Sequence, residues 1–103
     1  MLSLTFGEMP SKEDFAKVCE TQLPEGTYLM TLRGEDYEAA ARIINQGIDS
    51  HLEGVQCEAT GPRLHILDVD SIYTFIRRCS ESDDDIALDL ASSILTTLDI
   101  EWV

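Results

Sequence analysis

The stretch Asp68-Val69-Asp70, at the end of a predicted strand, holds the residues best placed for chemistry. Two carboxylates this close can share a Mg²⁺ ion or divide general-acid and general-base work, as a small hydrolase using Asp68 and Asp70 would require. A plainer role competes. An aspartate or serine just before a helix accepts the orphan backbone N–H groups of the first turn, so Asp70 or Ser71 is expected to cap the helix that follows. Capping alone accounts for Asp70, and the sequence favours it.

A denser set of carboxylates follows: Glu81, Asp83, Asp84, Asp85 and Asp89. Hard cations take such oxygens, but an EF-hand needs spaced ligands, a central glycine and a glutamate at its twelfth position, and these are missing. Ser82 as N-cap, with three aspartates in the first turn, is what a helix macrodipole favours. Three successive aspartates exceed what one cap uses, so the same five acids are also the expected contact surface for a basic partner. Arg77 and Arg78 just upstream could neutralise part of the run.

The other reactive residues form no constellation. His51 and His65 have no His or Cys within three or four positions, so a zinc half-site is absent. Cys19, Cys57 and Cys79 are odd in number, widely spaced and without a C-x-x-C pair. Cys57 and His65 are expected on opposite faces of a hairpin, which prevents proton transfer between them. Gly61-Pro62 marks a turn, not a phosphate loop. With no set of nucleophile, base and oxyanion donors, catalysis is not expected, nor is a cofactor or a metal.

The 103 residues, 44% of them hydrophobic, suit one domain spanning 1–103 with a real core. No apolar run is long enough for a membrane span, and the N-terminus lacks the basic and apolar regions of a signal peptide. The cysteine pattern suits a reducing cytoplasm. Twenty acids against seven bases give a net charge of −13, and from Glu81 to Val103 there are seven acids and no base. Such a field repels nucleic acid and anionic membranes and attracts basic proteins. The few scattered bases argue against direct nucleic-acid binding.

Two classes of function follow. One is an acidic, non-catalytic interaction protein that binds or inhibits a basic partner; small acidic immunity proteins and DNA mimics share this ratio of charge to size. The other is a self-associating structural or regulatory domain, a homodimer for example, suggested by a wide apolar arc on the last helix and by a strand that is apolar on both sides. Acidity that only maintains solubility is the bland alternative.

The elements that must position these residues read as follows. Leu2 to Phe6 alternates as a short strand ended by Gly7. Ser11 caps a helix with Asp14 at its third position and Phe15, Val18, Cys19 and Leu23 along its inner face. Leu23-Pro24-Glu25-Gly26 suits a type I turn. Thr27–Arg33 is a strand with apolar residues on both faces, hence expected at the sheet's centre. A helix then runs from Glu35 to about Leu52, with Tyr37, Ala40, Ala41, Ile44, Ile48 and Leu52 as its buried stripe and Glu38 and Arg42 as an i,i+4 pair. Gly47 inside it suggests a close backbone approach, and Gly54 its end.

Val55–Asp68 forms a hairpin around Thr60-Gly61-Pro62-Arg63. The expected register pairs Ala59 with Leu64, Cys57 with Ile66 and Val55 with Asp68, sets Gln56 against Leu67, and places Glu58 opposite His65 on the polar side. A helix carrying Ile72, Phe75, Ile76 and Cys79 follows, with Arg77 and Arg78 complementing its dipole. The closing helix buries Ile86, Ala87, Leu90, Ala91, Ile94 and Leu98, with Leu88 and Leu95 flanking that stripe. Asp99–Val103 ends the chain as a strand. The whole is a single α+β domain, an antiparallel sheet with helices on one face. From Thr27 onward the order is β-α-β-β-α-β, that of a ferredoxin-like split unit, preceded by an N-terminal strand and helix.

Overall fold

The computed structural model describes residues 2–22, 28–46, 54–58 and 62–103. The expectations at Leu23-Pro24-Glu25-Gly26, Gly47, Ile48, His51, Leu52, Ala59 and Thr60-Gly61 lie outside them. The described elements are β1 (Leu2–Leu4), α1 (Lys12–Gln22), β2 (Tyr28–Thr31), α2 (Gly34–Gln46), β3 (Val55–Cys57), β4 (Arg63–Ile66), α3 (Val69–Ser80), α4 (Asp85–Thr97) and β5 (Ile100–Trp102). This is a mixed α+β domain with an antiparallel three-stranded sheet. No described helix is long and apolar enough to cross a membrane.

The three-stranded sheet has the order β2-β4-β3, and β4 runs antiparallel to both neighbours. Strands β2 and β3 therefore run parallel, with α2 as their crossover and β4 inserted between them, which is the split β-α-β half of the expected topology. The ferredoxin-like closure is not found. It would place the last strand in this sheet, whereas β5 pairs in parallel with β1, Leu2 beside Ile100 and Leu4 beside Trp102. Asp99, in the left-handed region at φ 63°, turns the chain sharply out of α4 into β5, a conformation that aspartate tolerates better than most residues. The ladder groups of β1 receive it: Val103 N–H donates to Leu4 C=O at 2.8 Å and Phe6 N–H to Val103 C=O at 3.1 Å. The sheet order also puts β4 at the centre and β2 at an edge, contrary to expectation. Leu29 lies opposite His65 on the outer, polar face and is 44% exposed, so apolar residues on both sides of β2 do not mean burial on both sides.

The hairpin register differs from the expected one by two residues: Val55 pairs with Ile66, Gln56 with His65 and Cys57 with Leu64. A slip of two preserves every face, because side chains alternate with period two. Val55, Leu64 and Ile66 are buried as expected. The slip has a local cause. Asp68 is withdrawn from the ladder to become the N-cap of α3, in place of Asp70 or Ser71: Asp68 Oδ1 accepts from Ser71 N–H at 2.7 Å and Oδ2 from the Ser71 hydroxyl at 3.0 Å. Ser71 Oγ in turn accepts from Gly54 N–H at 3.0 Å. Gly54 is therefore a buried packing position at the start of β3.

Ser11 caps α1 as expected, accepting from Asp14 N–H at 3.2 Å. The cap of α4 is Asp84, not Ser82: Asp84 Oδ1 accepts from Ile86 N–H at 3.0 Å, while Ser82 Oγ accepts from Asp84 N–H at 3.1 Å. The core gathers on α3 and α4. Ile72, Phe75 and Ile76 meet Leu90, Ile94 and Leu95, all at most 1% exposed. Burying each such side chain is worth about 1.5–3 kcal/mol. Leu95 thus belongs to the core, while Leu88 and Ile86 are half-buried. On α2 the buried stripe is turned toward Ala39 and Ala40, leaving Ala41 half-buried.

Candidate functional site

Helix α3 ends at Ser80, and Glu81 is its C-cap, its backbone N–H directed at the carbonyls of Arg77 and Cys79. Residues 81–84 link it to α4. This junction carries the acidic run, and the structure divides that run in two. Glu81, Asp83, Asp85 and Asp89 are exposed, and their carboxylates carry no hydrogen bond or ion pair among the described residues. Asp84 is different. With Oδ1 engaged in capping, its Oδ2 lies 2.9 Å from Nη2 of Arg42 on α2. Arg42, from another helix, thus neutralises part of the run. Of Arg77 and Arg78, both expected in that role, Arg77 is exposed and Arg78 is half-buried beside Glu81 and Ser82.

Between α2 and the junction lie two shallow adjoining depressions. One, about 150 Å³, is bounded by Ala39, Arg42, Ile43, Ser82, Asp84 and Ala87. The other, about 210 Å³, is bounded by Ile43, Arg78, Glu81 and Ser82. Each is smaller than the roughly 300–1,000 Å³ of a small-molecule site, and nearer the size of one side chain. In the first, the small side chains of Ala39 and Ala87 leave no bulk beside Asp84.

Sequence reasoning assigned Arg42 to Glu38, its neighbour one helical turn away, and missed Asp84, which is 42 positions distant. The available signal was the run Ala39-Ala40-Ala41, since small residues permit close helix packing. It does not say which helix approaches.

The Asp68 and Asp70 carboxylates do not converge. Asp68 is occupied by Ser71, and Asp70 is exposed, 3.8 Å from the exposed Lys12. Cys57 shares the inner sheet face with Leu64, while His65 faces outward. Burial pushes the Cys57 thiol up, the Cys19 thiol up to about 11 and the Cys79 thiol up to about 12. These thiols stay protonated near neutral pH and are weak nucleophiles there. All three are free. Among the described residues, no three His, Cys, Asp or Glu side chains come together as a metal site.

On the outer sheet face His65 Nε2 lies 3.3 Å from Glu58 Oε1, and Arg63 pairs with Glu58 Oε2. The expected contact of Glu58 with His65 thus forms, diagonally across the shifted register. The His65 hydrogen bond, then the Arg63 charge, hold the Glu58 carboxyl below the usual range, with desolvation acting the other way. The backbone of Glu58 is also held, its C=O accepting from Tyr37 O–H at 2.9 Å. These contacts tie β3, β4 and α2 together, and the cluster has a structural role.

Comparison of the chain with known protein families, curated proteins and solved structures finds no match.

Proposed function

We propose that this chain is a non-catalytic acidic interaction protein that binds a basic protein partner through the junction of α3 and α4. The observation that carries this reading is the set of four exposed carboxylates, Glu81, Asp83, Asp85 and Asp89, without a partner of their own among the described residues. Asp84 belongs to the same surface but is shared with Arg42. A cap needs one aspartate, and Asp84 supplies it. The remaining acids lie in a chain with a net charge of −13, where each added negative charge opposes compaction. Their concentration at one junction gives a field that speeds encounter with a cationic surface. Binding could also inhibit the partner by covering its basic site. The three free cysteines, two of them buried, suit a reducing cytoplasm.

Self-association is the competing reading, and its main motive is weakened. The apolar arc of α4 is largely filled by the core, while of the large apolar side chains exposed among the described residues Leu29 lies on β2, the strand that is the second motive, and Phe6, Leu67 and Val103 lie elsewhere.

The test is capture from a native lysate at low salt with elution by a salt gradient, comparing wild type with a variant carrying Glu81→Gln, Asp83→Asn, Asp85→Asn and Asp89→Asn. Wild type should retain basic proteins that the variant does not. Equal retention, released at the same salt, would refute the reading.

A further inference from the structure

We infer that the groove between α2 and the α3–α4 junction receives an arginine side chain of the partner, and that Arg42 occupies its place in the free protein. This rests on the acidic-surface reading above and assigns chemistry to its centre. Asp84 uses one carboxylate oxygen for the helix cap and offers the other to a guanidinium at 2.9 Å. The site for a guanidinium is therefore already built and already filled, by a residue of the same chain. Arg42 is held there weakly. Its side chain is 59% exposed and that of Asp84 35%, and exposed pairs of this kind contribute little.

Beside the pair, Ala39, Ile43 and Ala87 bound a depression of about 150 Å³, which suits the aliphatic stem of a long cationic side chain. Glu81 borders the adjoining depression, and the exposed Asp83 and Asp85 flank Asp84 in sequence. No lysine or arginine follows Arg78. An incoming arginine would meet the same carboxylate that Arg42 meets, with further acids nearby that Arg42 does not use. Arginine is preferred to lysine because its planar fork can engage a carboxylate through two N–H groups. Arg42 acts as an internal competitor, and partner binding must displace it.

The test is fluorescence anisotropy of a labelled oligo-arginine peptide at low salt with four proteins: wild type, Arg42→Gln, Lys17→Gln and the double variant carrying Arg42→Gln with Asp84→Asn. Lys17 is exposed on α1, so its substitution makes the same change in net charge away from the groove. Asparagine caps a helix about as well as aspartate, so Asp84→Asn removes the charge and keeps α4. Arg42→Gln should bind the peptide about two- to fivefold more tightly than Lys17→Gln, the range expected from releasing one exposed ion pair. Adding Asp84→Asn to Arg42→Gln should abolish that gain. If Arg42→Gln and Lys17→Gln bind alike, or if Arg42→Gln binds more weakly, Arg42 is not a competitor and the inference fails, while the acidic-surface reading stands. If wild type does not bind the peptide at all, the acidic-surface reading itself fails. The comparison of Arg42→Gln with Lys17→Gln decides the matter even where Asp84→Asn proves unstable.

Discussion

Gly54 and Asp68 are packed so closely that a methyl group on Gly54 would overlap Oδ2 and Cγ of Asp68, with Ser71 Oγ only 2.7 Å away. The Asp68 carboxylate cannot swing aside without releasing both Ser71 groups that it holds at the start of α3. Gly54→Ala should therefore destabilise the fold by about 2–4 kcal/mol, combining overpacking with partial loss of the cap. Gly34→Ala should act in the opposite sense. Apart from its chain neighbours and its own helix backbone, no atom of the described residues lies within 4 Å of the added methyl, so a gain of about 0.4–1 kcal/mol is expected from the less flexible unfolded chain. Urea unfolding of the two variants checks the contrast. In an Asp68→Ala background the cost of Gly54→Ala should shrink, since the main obstacle is gone. An unchanged cost would mean that the packing of these two residues is not what requires glycine.

That relationship shows what a single sequence conveys. The faces of β3 and β4, the cap of α1 and the core stripe of α4 were all legible, because alternation and helical periodicity are local and repeat. Gly54 was noticed but explained as a helix end, because nothing local reveals that Asp68 and Ser71 fold back onto it. The same limit hid the pair of Arg42 with Asp84, and it hid the partner of β5. Strand pairing is a choice among backbone edges, and the pattern of Ile100-Glu101-Trp102 fits either sheet. The acidic run was legible as composition. Its division into one capping, ion-paired aspartate and four free acids was not.

Glu58 gives the fold an acid-sensitive contact. Its carboxyl is held below the ordinary value of 4.5 by His65 first and by Arg63 as well. A carboxyl whose pKa is lowered by folding adds stability that is present above the unfolded-state value and lost as pH falls through the folded-state value. Glu58→Gln should therefore lower the melting temperature near neutral pH and make its decline below about pH 4.5 shallower than in wild type. Parallel melting curves from pH 7 to about pH 3 make the comparison, since ordinary carboxylates titrate within that range. Identical acid limbs would show that the cluster contributes nothing through its charge.

Leu88 and Leu95 are seven residues apart on α4 yet differ in environment, Leu88 being half-buried and Leu95 1% exposed. Leu95→Ala should cost about 2–5 kcal/mol, as should Leu90→Ala or Ile94→Ala. Leu95→Lys should abolish cooperative unfolding, since a buried unpaired ammonium is costly. Leu88→Lys should leave the protein folded, as its side chain can reach water. Circular dichroism melts separate these cases, and sedimentation of Leu88→Lys tests the self-association reading. Wild type and Leu88→Lys should sediment as the same species, and a dimer that this variant dissolves would revive the self-association reading.

The four exposed acids of the junction should affect rate more than stability. Replacing Glu81, Asp83, Asp85 and Asp89 with their amides removes self-repulsion from a chain of net charge −13, which favours folding. It also removes Asp85 from the first turn of α4, which costs about 0.3–1 kcal/mol. Asp84 and the buried face of the helix remain, so the variant should fold and melt close to wild type. Wild type should melt higher as NaCl is raised from low to moderate concentration, because the Debye length falls to about 10 Å at 0.1 M. The variant should show a flatter response. Toward a basic protein captured by wild type, the variant should associate at least about tenfold more slowly at low salt, with a much smaller change in dissociation. Raising the salt should erase that difference, since steering by exposed charges is screened. Stopped-flow association at several salt concentrations provides the measurement. If the variant associates as fast as wild type at low salt, these carboxylates do not guide a partner and serve only to keep the surface solvated.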